Sequence, residues 1–248
     1  GYVVDLFEKR PDLRQEDQSA GRSINLALSH RGIVALKSAG VFDQIEPLLI
    51  PMKGRMIHRE NGKLDFQPYS INPDEYINSV SRTELNKILM SAAENTGKVK
   101  INFLHSLSSI QSNQLVFENG NKIEIETEIF GADGARSVIR KYIDSICGSP
   151  STTEPLGHAY KELTIALSDN NDYQIDANSL HIWPRGEFML IALPNTDKSF
   201  TCTLFMPNKG QLSFESLNTE TVVVEFFNTY FSDALHMLEN FPQSFFDN

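Results

Sequence analysis

The sequence predicts an α/β chain, of the α+β kind, with helices interleaved among strands early and an unbroken run of strands late. Three stretches carry that expectation. Residues 123 to 129 alternate apolar and polar at period two, break at Gly131 and Gly134, and resume at helical spacing with Ala135, Val138, Ile139 and Tyr142. Gly54 to Tyr69 reads as a hairpin turning around Glu60-Asn61-Gly62. Tyr160 to Leu167, Leu180 to Arg185, Phe188 to Leu193 and Phe200 to Met206 read as four strands, with turns at Gly186-Glu187 and Asn195 to Lys198.

Composition narrows the function classes. At 248 residues the chain suffices for one large or two small domains. Lys plus Arg number 22 against 32 Asp plus Glu, a net charge of -10, which argues against a nucleic-acid partner. An anionic ligand must therefore be met by local arginines and helix ends. Cys147 and Cys202 have neither metal-ligand nor disulfide-framework spacing and suit a reducing compartment. There is no apolar run of about 18 residues, so no membrane span is expected in this chain.

Taken in order, Tyr2 to Phe7 is a short apolar strand ending on Glu8, with Lys9 and Arg10 behind it. In a dinucleotide-binding fold the second strand ends on an acid that takes a ribose hydroxyl, and Glu8 fits that position, although no glycine loop precedes it. Residues 11 to 21 are polar. Ser29 is a candidate cap for a helix through Ile33, Val34 and Leu36 that closes at Gly40. Ser29 beside His30 is not a catalytic pair, because chain neighbours rarely face each other and no third orienting group is evident.

The hairpin leaves two registers open. A two-residue Asn61-Gly62 turn puts Arg55 and Tyr69 on opposite faces, whereas a three-residue loop with a glycine bulge makes them diagonal neighbours within reach of one carboxylate. Ser81-Arg82-Thr83-Glu84 is a capping box that opens a helix to Gly97. Arg82, in the first turn where the dipole disfavours a cation, either answers an anion or is solvated. Strands are expected over Val99 to Leu104 and Gln114 to Glu118, with a turn at Asn119-Gly120. Asp133 is placed to cap the helix that follows or to accept a hydroxyl, and the helix start, with Arg136, offers N–H groups to a phosphate. Met189, Ile191 and Leu193 share one face, which Phe205 can join; such a face packs on a helix or roofs a pocket for a flat ligand. Phe226, Phe227, Tyr230 and Phe231 mark a late core helix.

The string Gly131-Ala132-Asp133-Gly134-Ala135-Arg136-Ser137 resembles the second nucleotide-contact motif of aromatic-ring hydroxylases that use FAD and NAD(P)H. Arg22 to Gly32, Pro51 to His58, Leu180 to Arg185 and Phe200 to Pro207 are similar to the kynurenine 3-monooxygenase family, over most of the chain. The resemblance implies a discontinuous Rossmann-like FAD-binding domain over 1–50 and 81–145. It implies a mostly antiparallel substrate-binding sheet inserted over 51–80 and 151–210, and a helical segment over 211–248. It implies that NADPH reduces FAD, that oxygen adds to give a C4a-hydroperoxide, and that L-kynurenine is hydroxylated ortho to its amine, with no catalytic side chain and no metal. Residue by residue, it would give FAD to Glu8, Lys9, Arg10, Ala27, Arg82, Leu107 and Asp133. The substrate carboxylate would go to Arg55 and Tyr69, and the apolar side of the pocket to Leu180, Met189, Ile191, Leu193 and Phe205.

The family pattern also has a Gly-x-Gly-x-x-Gly unit ahead of Gly1 and a Gly-Asp-Ala-Ala-His region beyond Asn248, so a longer protein is expected. A soluble, cytoplasmic bacterial setting is the expectation, eukaryotic members being anchored at the mitochondrial outer membrane. The rivals are a hydroxylase of another aromatic acid and a binding module without flavin. A plain NAD-dependent dehydrogenase is weakest, because no acid–base constellation is evident.

Overall fold

The computed structural model describes residues 1–15, 25–148 and 150–247; the first three residues of the Arg22 to Gly32 stretch fall outside them. In chain order the elements are β1 (Val4–Phe7), β2 (Asn25–Leu28), α1 (His30–Ser38), α2 (Phe42–Ile45), β3 (Ile50–Met52), β4 (Gly54–His58), β5 (Leu64–Pro68), β6 (Ile77–Ser81), α3 (Arg82–Asn95), β7 (Val99–Asn102), β8 (Leu107–Gln111), β9 (Gln114–Phe117), β10 (Lys122–Glu124), α4 (Val138–Cys147), β11 (His158–Ile165), β12 (Ser179–Arg185), β13 (Phe188–Pro194), β14 (Phe200–Pro207), α5 (Glu220–Tyr230), α6 (Ser232–Leu235) and α7 (Gln243–Phe246). The expected mixture of helices with mixed and antiparallel sheets is present.

Two compact units form, one from residues 1–20 and 89–155, the other from 21–88 and 156–248. Residues 25–50 and 81–88 group by contact with the long sheet. The reason is pairing: β2 and β3 both hydrogen-bond to β6, and Asn25 Nδ2 and Ser79 Oγ both donate to the Pro194 carbonyl, at 2.8 Å each.

The first unit holds the parallel pair β1–β7, the meander β8–β9–β10, and α4 packed on β8. Two expectations are corrected here. The strand read over 123 to 129 stops at Glu124, because β10 has one neighbour, β9, and its last tie is Ile125 N–H to the Asn113 carbonyl at 2.9 Å. Alternation alone cannot hold an extended chain that lacks a partner. The helix begins at Val138 rather than Ala135, and β8, which its two central serines disguise, was not expected at all. Gly131 is fixed by packing: a Cβ there would lie 2.8 Å from Ile139 of α4.

In the second unit the strand order is β11-β14-β13-β12-β4-β5, all antiparallel except β12–β4, with β2-β6-β3 as a smaller sheet. Alternation gives the large sheet two unlike faces. One carries Leu163, Ile165, Trp183, Leu190, Leu204 and Met206, which are buried with Phe227, Phe231 and Phe245 of the late helical segment. That segment therefore supplies the core on this side, as the spacing of its aromatics indicates. Among the described residues no helix is long and apolar enough to cross a membrane.

Candidate functional site

The other face of the large sheet gathers the residues expected to meet a substrate. Arg59 N–H reaches the Lys63 carbonyl at 2.9 Å, so the hairpin loop is Glu60-Asn61-Gly62, with Gly62 at φ +79°. The three-residue alternative is the one adopted. Arg55 stands opposite Gln67, two residues before Tyr69, and its guanidinium carbon lies 4.8 Å from the centre of the Tyr69 ring. Burial pushes the Tyr69 phenol up and Arg55 pulls it part of the way back, so the phenol keeps its proton at neutral pH and can donate it. Arg55 itself is exposed and has no ion pair among the described residues. Gly54, just before it, lets β5 approach: a Cβ there would lie 2.5 Å from the Gln67 carbonyl.

The register carries that face onward. Leu180 pairs with Arg55 across the parallel seam, Ile182 pairs with Ile191, and Met189 pairs with Phe205. By alternation Leu180, Met189, Ile191, Leu193 and Phe205 all lie on Arg55's side of the sheet. Leu193 is buried, Leu180, Ile191 and Phe205 are partly so, and Met189 is exposed. All seven expected substrate residues thus share one face of one sheet, cationic at one end and apolar along its length. Such a face suits a flat apolar body bearing a carboxylate.

The residues expected at FAD divide between the units. In the first, Glu8 Oε1 accepts from Arg10 N–H and Nε, both at 2.9 Å, and Oε2 accepts one longer bond of 3.3 Å from the same guanidinium. The Arg10 guanidinium holds the Glu8 carboxyl below its ordinary value, and Oε2 keeps acceptor capacity for a hydroxyl. Lys9 is exposed, and Leu107 opens β8. The phosphate reading of the α4 start is corrected. Asp133 Oδ2 accepts from Val138 N–H at 2.6 Å and Ile139 N–H at 3.2 Å, Asp133 Oδ1 accepts from Ser137 Oγ, and Ser137 Oγ accepts from Arg140 N–H at 2.9 Å. Burial pushes Asp133 up, but these donors outweigh it and hold the carboxyl low. The helix caps itself, and what remains beside Gly131 and Arg140 is an open cleft of about 360 Å³.

In the second unit Ala27 lies on β2 opposite Ser79, on the same side of the strand as Asn25. Asn25 was not anticipated, although a polar residue interrupting an apolar run was the available signal. Its Nδ2 donates to Ser79 Oγ at 2.9 Å and to the Pro194 carbonyl, while its Oδ1 is a buried acceptor with no partner among the described residues. Arg82 is exposed at the start of α3 with no partner among the described residues, and Ser81 Oγ accepts from Glu84 N–H at 3.3 Å as the capping box requires. Within the second unit, an acceptor and a cation, both without a partner among the described residues, suit an N–H group and a phosphate; within the first, the spare Glu8 oxygen suits a hydroxyl.

The buried face holds a polar cluster that sequence reading missed. Trp183 Nε1 donates to Asp233 Oδ2 at 2.8 Å, and His58, stacked on Trp183 with ring centres 3.8 Å apart, contacts both Asp233 and His181. Burial pushes the His181 imidazole down to about 4 from its ordinary 6.5. The folded protein therefore binds fewer protons than the unfolded chain between those values, and stability falls as pH drops through that window. The loss is about 3 kcal/mol when the window has been crossed. Urea midpoints at pH 7 and pH 4.5 measure it: the drop is expected to shrink in His181→Gln, and an equal drop in both proteins would assign it to other groups.

Comparison with known proteins defines the class. The fold is that of Pseudomonas aeruginosa PqsL in complex with 2-aminobenzoylacetate, with a TM-score of 0.67 at 13% identity over 97% of this chain and 66% of that one. The chain belongs to the FAD binding domain family, whose model matches residues 13–204. It is 44% identical to the kynurenine 3-monooxygenase of Myxococcus xanthus, over 99% of this chain and 54% of that protein, and 42% identical to that of Legionella pneumophila strain Corby, over 100% and 56%. The chain spans about half the length of these curated relatives.

Proposed function

We propose that this chain is the FAD-holding and substrate-facing part of an NADPH-dependent flavoprotein monooxygenase that converts L-kynurenine to 3-hydroxykynurenine. The observation that carries the reading is Arg55, exposed beside Tyr69 and without an ion pair among the described residues, at one end of an apolar sheet face that Leu180, Met189, Ile191, Leu193 and Phe205 share. Arg55 and the Tyr69 hydroxyl bind the amino-acid carboxylate, and the apolar residues hold the aryl ring and exclude water from it. No side chain need act as acid or nucleophile, because the aryl amine activates its own ring toward an electrophilic oxygen. Bound FAD, reduced by NADPH, supplies the oxygen-activating chemistry. Glu8 takes a ribose hydroxyl, with Lys9 and Arg10 alongside. Arg82 takes a phosphate, Ala27 and Leu107 line the cofactor, and Asp133 fixes the start of α4. The domain roles follow: β4, β5 and β11 to β14 present the substrate, while β1, β2 and α3 serve the cofactor.

The protein carrying this chain, incubated with FAD, NADPH, oxygen and L-kynurenine, is expected to release a product heavier by one oxygen atom. Absence of that product, together with loss of flavin absorbance on gel filtration, would contradict the proposal.

A further inference from the structure

The seam between β4 and β12 is the sheet's one parallel pairing, and it carries Arg55 and Leu180 side by side. Parallel pairing is slightly the weaker kind, so what holds this seam matters to the face above it. On the opposite face, three residues after Arg55, stands His58, which is 4% exposed. Both of its ring nitrogens are engaged: Nδ1 lies 2.8 Å from Asp233 Oδ2, and Nε2 lies 2.9 Å from His181 Nδ1.

Proton positions follow by elimination. His181 Nε2 lies 2.8 Å from the Asp176 carbonyl, which can only accept, so that nitrogen carries the proton. Burial keeps His181 neutral, so its Nδ1 is a bare acceptor and the proton in the His58–His181 bond sits on His58 Nε2. Asp233 Oδ2 already accepts from Trp183 Nε1, and burial, which opposes ionisation there, is outweighed by its donors, so the carboxylate is charged. Nδ1 of His58 must then donate as well. A neutral His58 would set two lone pairs against each other across one of these contacts.

We propose that His58 is a buried imidazolium clasped between Asp233 of α6 and His181 of β12, and that it is a positioning residue which holds the β4–β12 seam so that Arg55 and Leu180 keep their places. Charges of both signs surround it. The Arg185 guanidinium donates to the His58 backbone carbonyl at 2.9 Å and to the Tyr230 carbonyl at 2.7 Å, and it feels the charges of Asp233 and Glu60. Asp176 adds its carbonyl to His181, and the Trp183 ring covers the His58 ring. With every ring nitrogen of the two histidines committed, the cluster is a structural clasp rather than a metal site, and none is found among the described residues. The imidazolium is enclosed by a stacked indole and a carboxylate, so removing the carboxylate alone leaves a buried cation unpaired and drives it to neutrality.

The positioning role rests on the carboxylate-binding reading of Arg55, so the test has two arms. In the first, protein labelled with 15N-histidine is examined at pH 7.5 by long-range proton–nitrogen spectra. His58 is expected to show protons on both ring nitrogens and His181 on Nε2 alone, and His58 is expected to lose one of its two in Asp233→Asn. A single ring proton on wild-type His58 would overturn the proposal whatever the enzyme does. In the second, Asp233→Asn is expected to raise the KM for L-kynurenine about tenfold, leave kcat within about twofold, and be rescued in part by Asp233→Glu. An unchanged KM, or an effect confined to kcat, would overturn the positioning role. If wild-type protein does not turn over L-kynurenine, the functional reading falls, and amide hydrogen exchange decides the clasp. Exchange in β4 and β12 would then be faster by about tenfold in Asp233→Asn if the clasp holds the seam, and unchanged if it does not.

Discussion

Phe227→Ala is expected to destabilise the second unit by about 3–5 kcal/mol, lowering its unfolding temperature by roughly 10 °C. Phe227 is fully buried, and its ring centre lies 4.6 Å from that of Phe241 and 5.3 Å from that of Phe231, with Phe226 and Phe245 also around it. Truncation leaves a hole bounded by other rings, and the loss of edge-to-face contacts adds to the lost burial. Met189→Ala, on the opposite face of the same sheet and 39% exposed, is expected to cost about 1 kcal/mol or less. Calorimetry of both variants distinguishes the faces. Equal losses would mean that the Met189 face is as firmly packed as the core, leaving no room for a ligand.

Arg55→Ala is expected to raise the KM for L-kynurenine at least about tenfold, ~1.4 kcal/mol, with kcat little changed, because the guanidinium binds a group that does not react. An exposed ion pair on a bare surface would contribute less. Here the partner arrives with an apolar body that displaces water from beside Tyr69, and the resulting charge-assisted bonds are stronger for it. Arg55→Lys is expected to recover only part of the loss, since an ammonium cannot present the planar fork or stack on the phenol 4.8 Å away. Steady-state kinetics on the three proteins measures this. A fall in kcat at constant KM would place Arg55 in the chemistry instead.

The faces of the large sheet were legible because period-two counting holds within each of β12, β13 and β14, where each strand has a neighbour on both sides. The hairpin register could be reduced to two choices but not chosen, since the deciding contact, Arg59 N–H to the Lys63 carbonyl, is a tertiary outcome. Long-range pairing was hidden. Nothing local in Arg55 or Leu180 says that they meet across a parallel seam, and His58 finds Asp233 at a separation of 175 residues. Alternation misled over residues 125 to 129, because a pattern that matches a strand needs an edge to pair with. At the α4 start the capping alternative for Asp133 is the one adopted: with Ser137 it satisfies the helix N–H groups that the phosphate reading had left bare.

The most direct test of the account compares L-kynurenine with the amine analogue that lacks its carboxylate, each measured for binding to the wild-type protein and to Arg55→Ala. L-kynurenine is expected to lose at least about tenfold in affinity on Arg55→Ala, while the analogue binds both proteins alike. Equal losses for the two ligands, or no loss for either, would contradict the assignment of this sheet face to an aromatic amino-acid carboxylate.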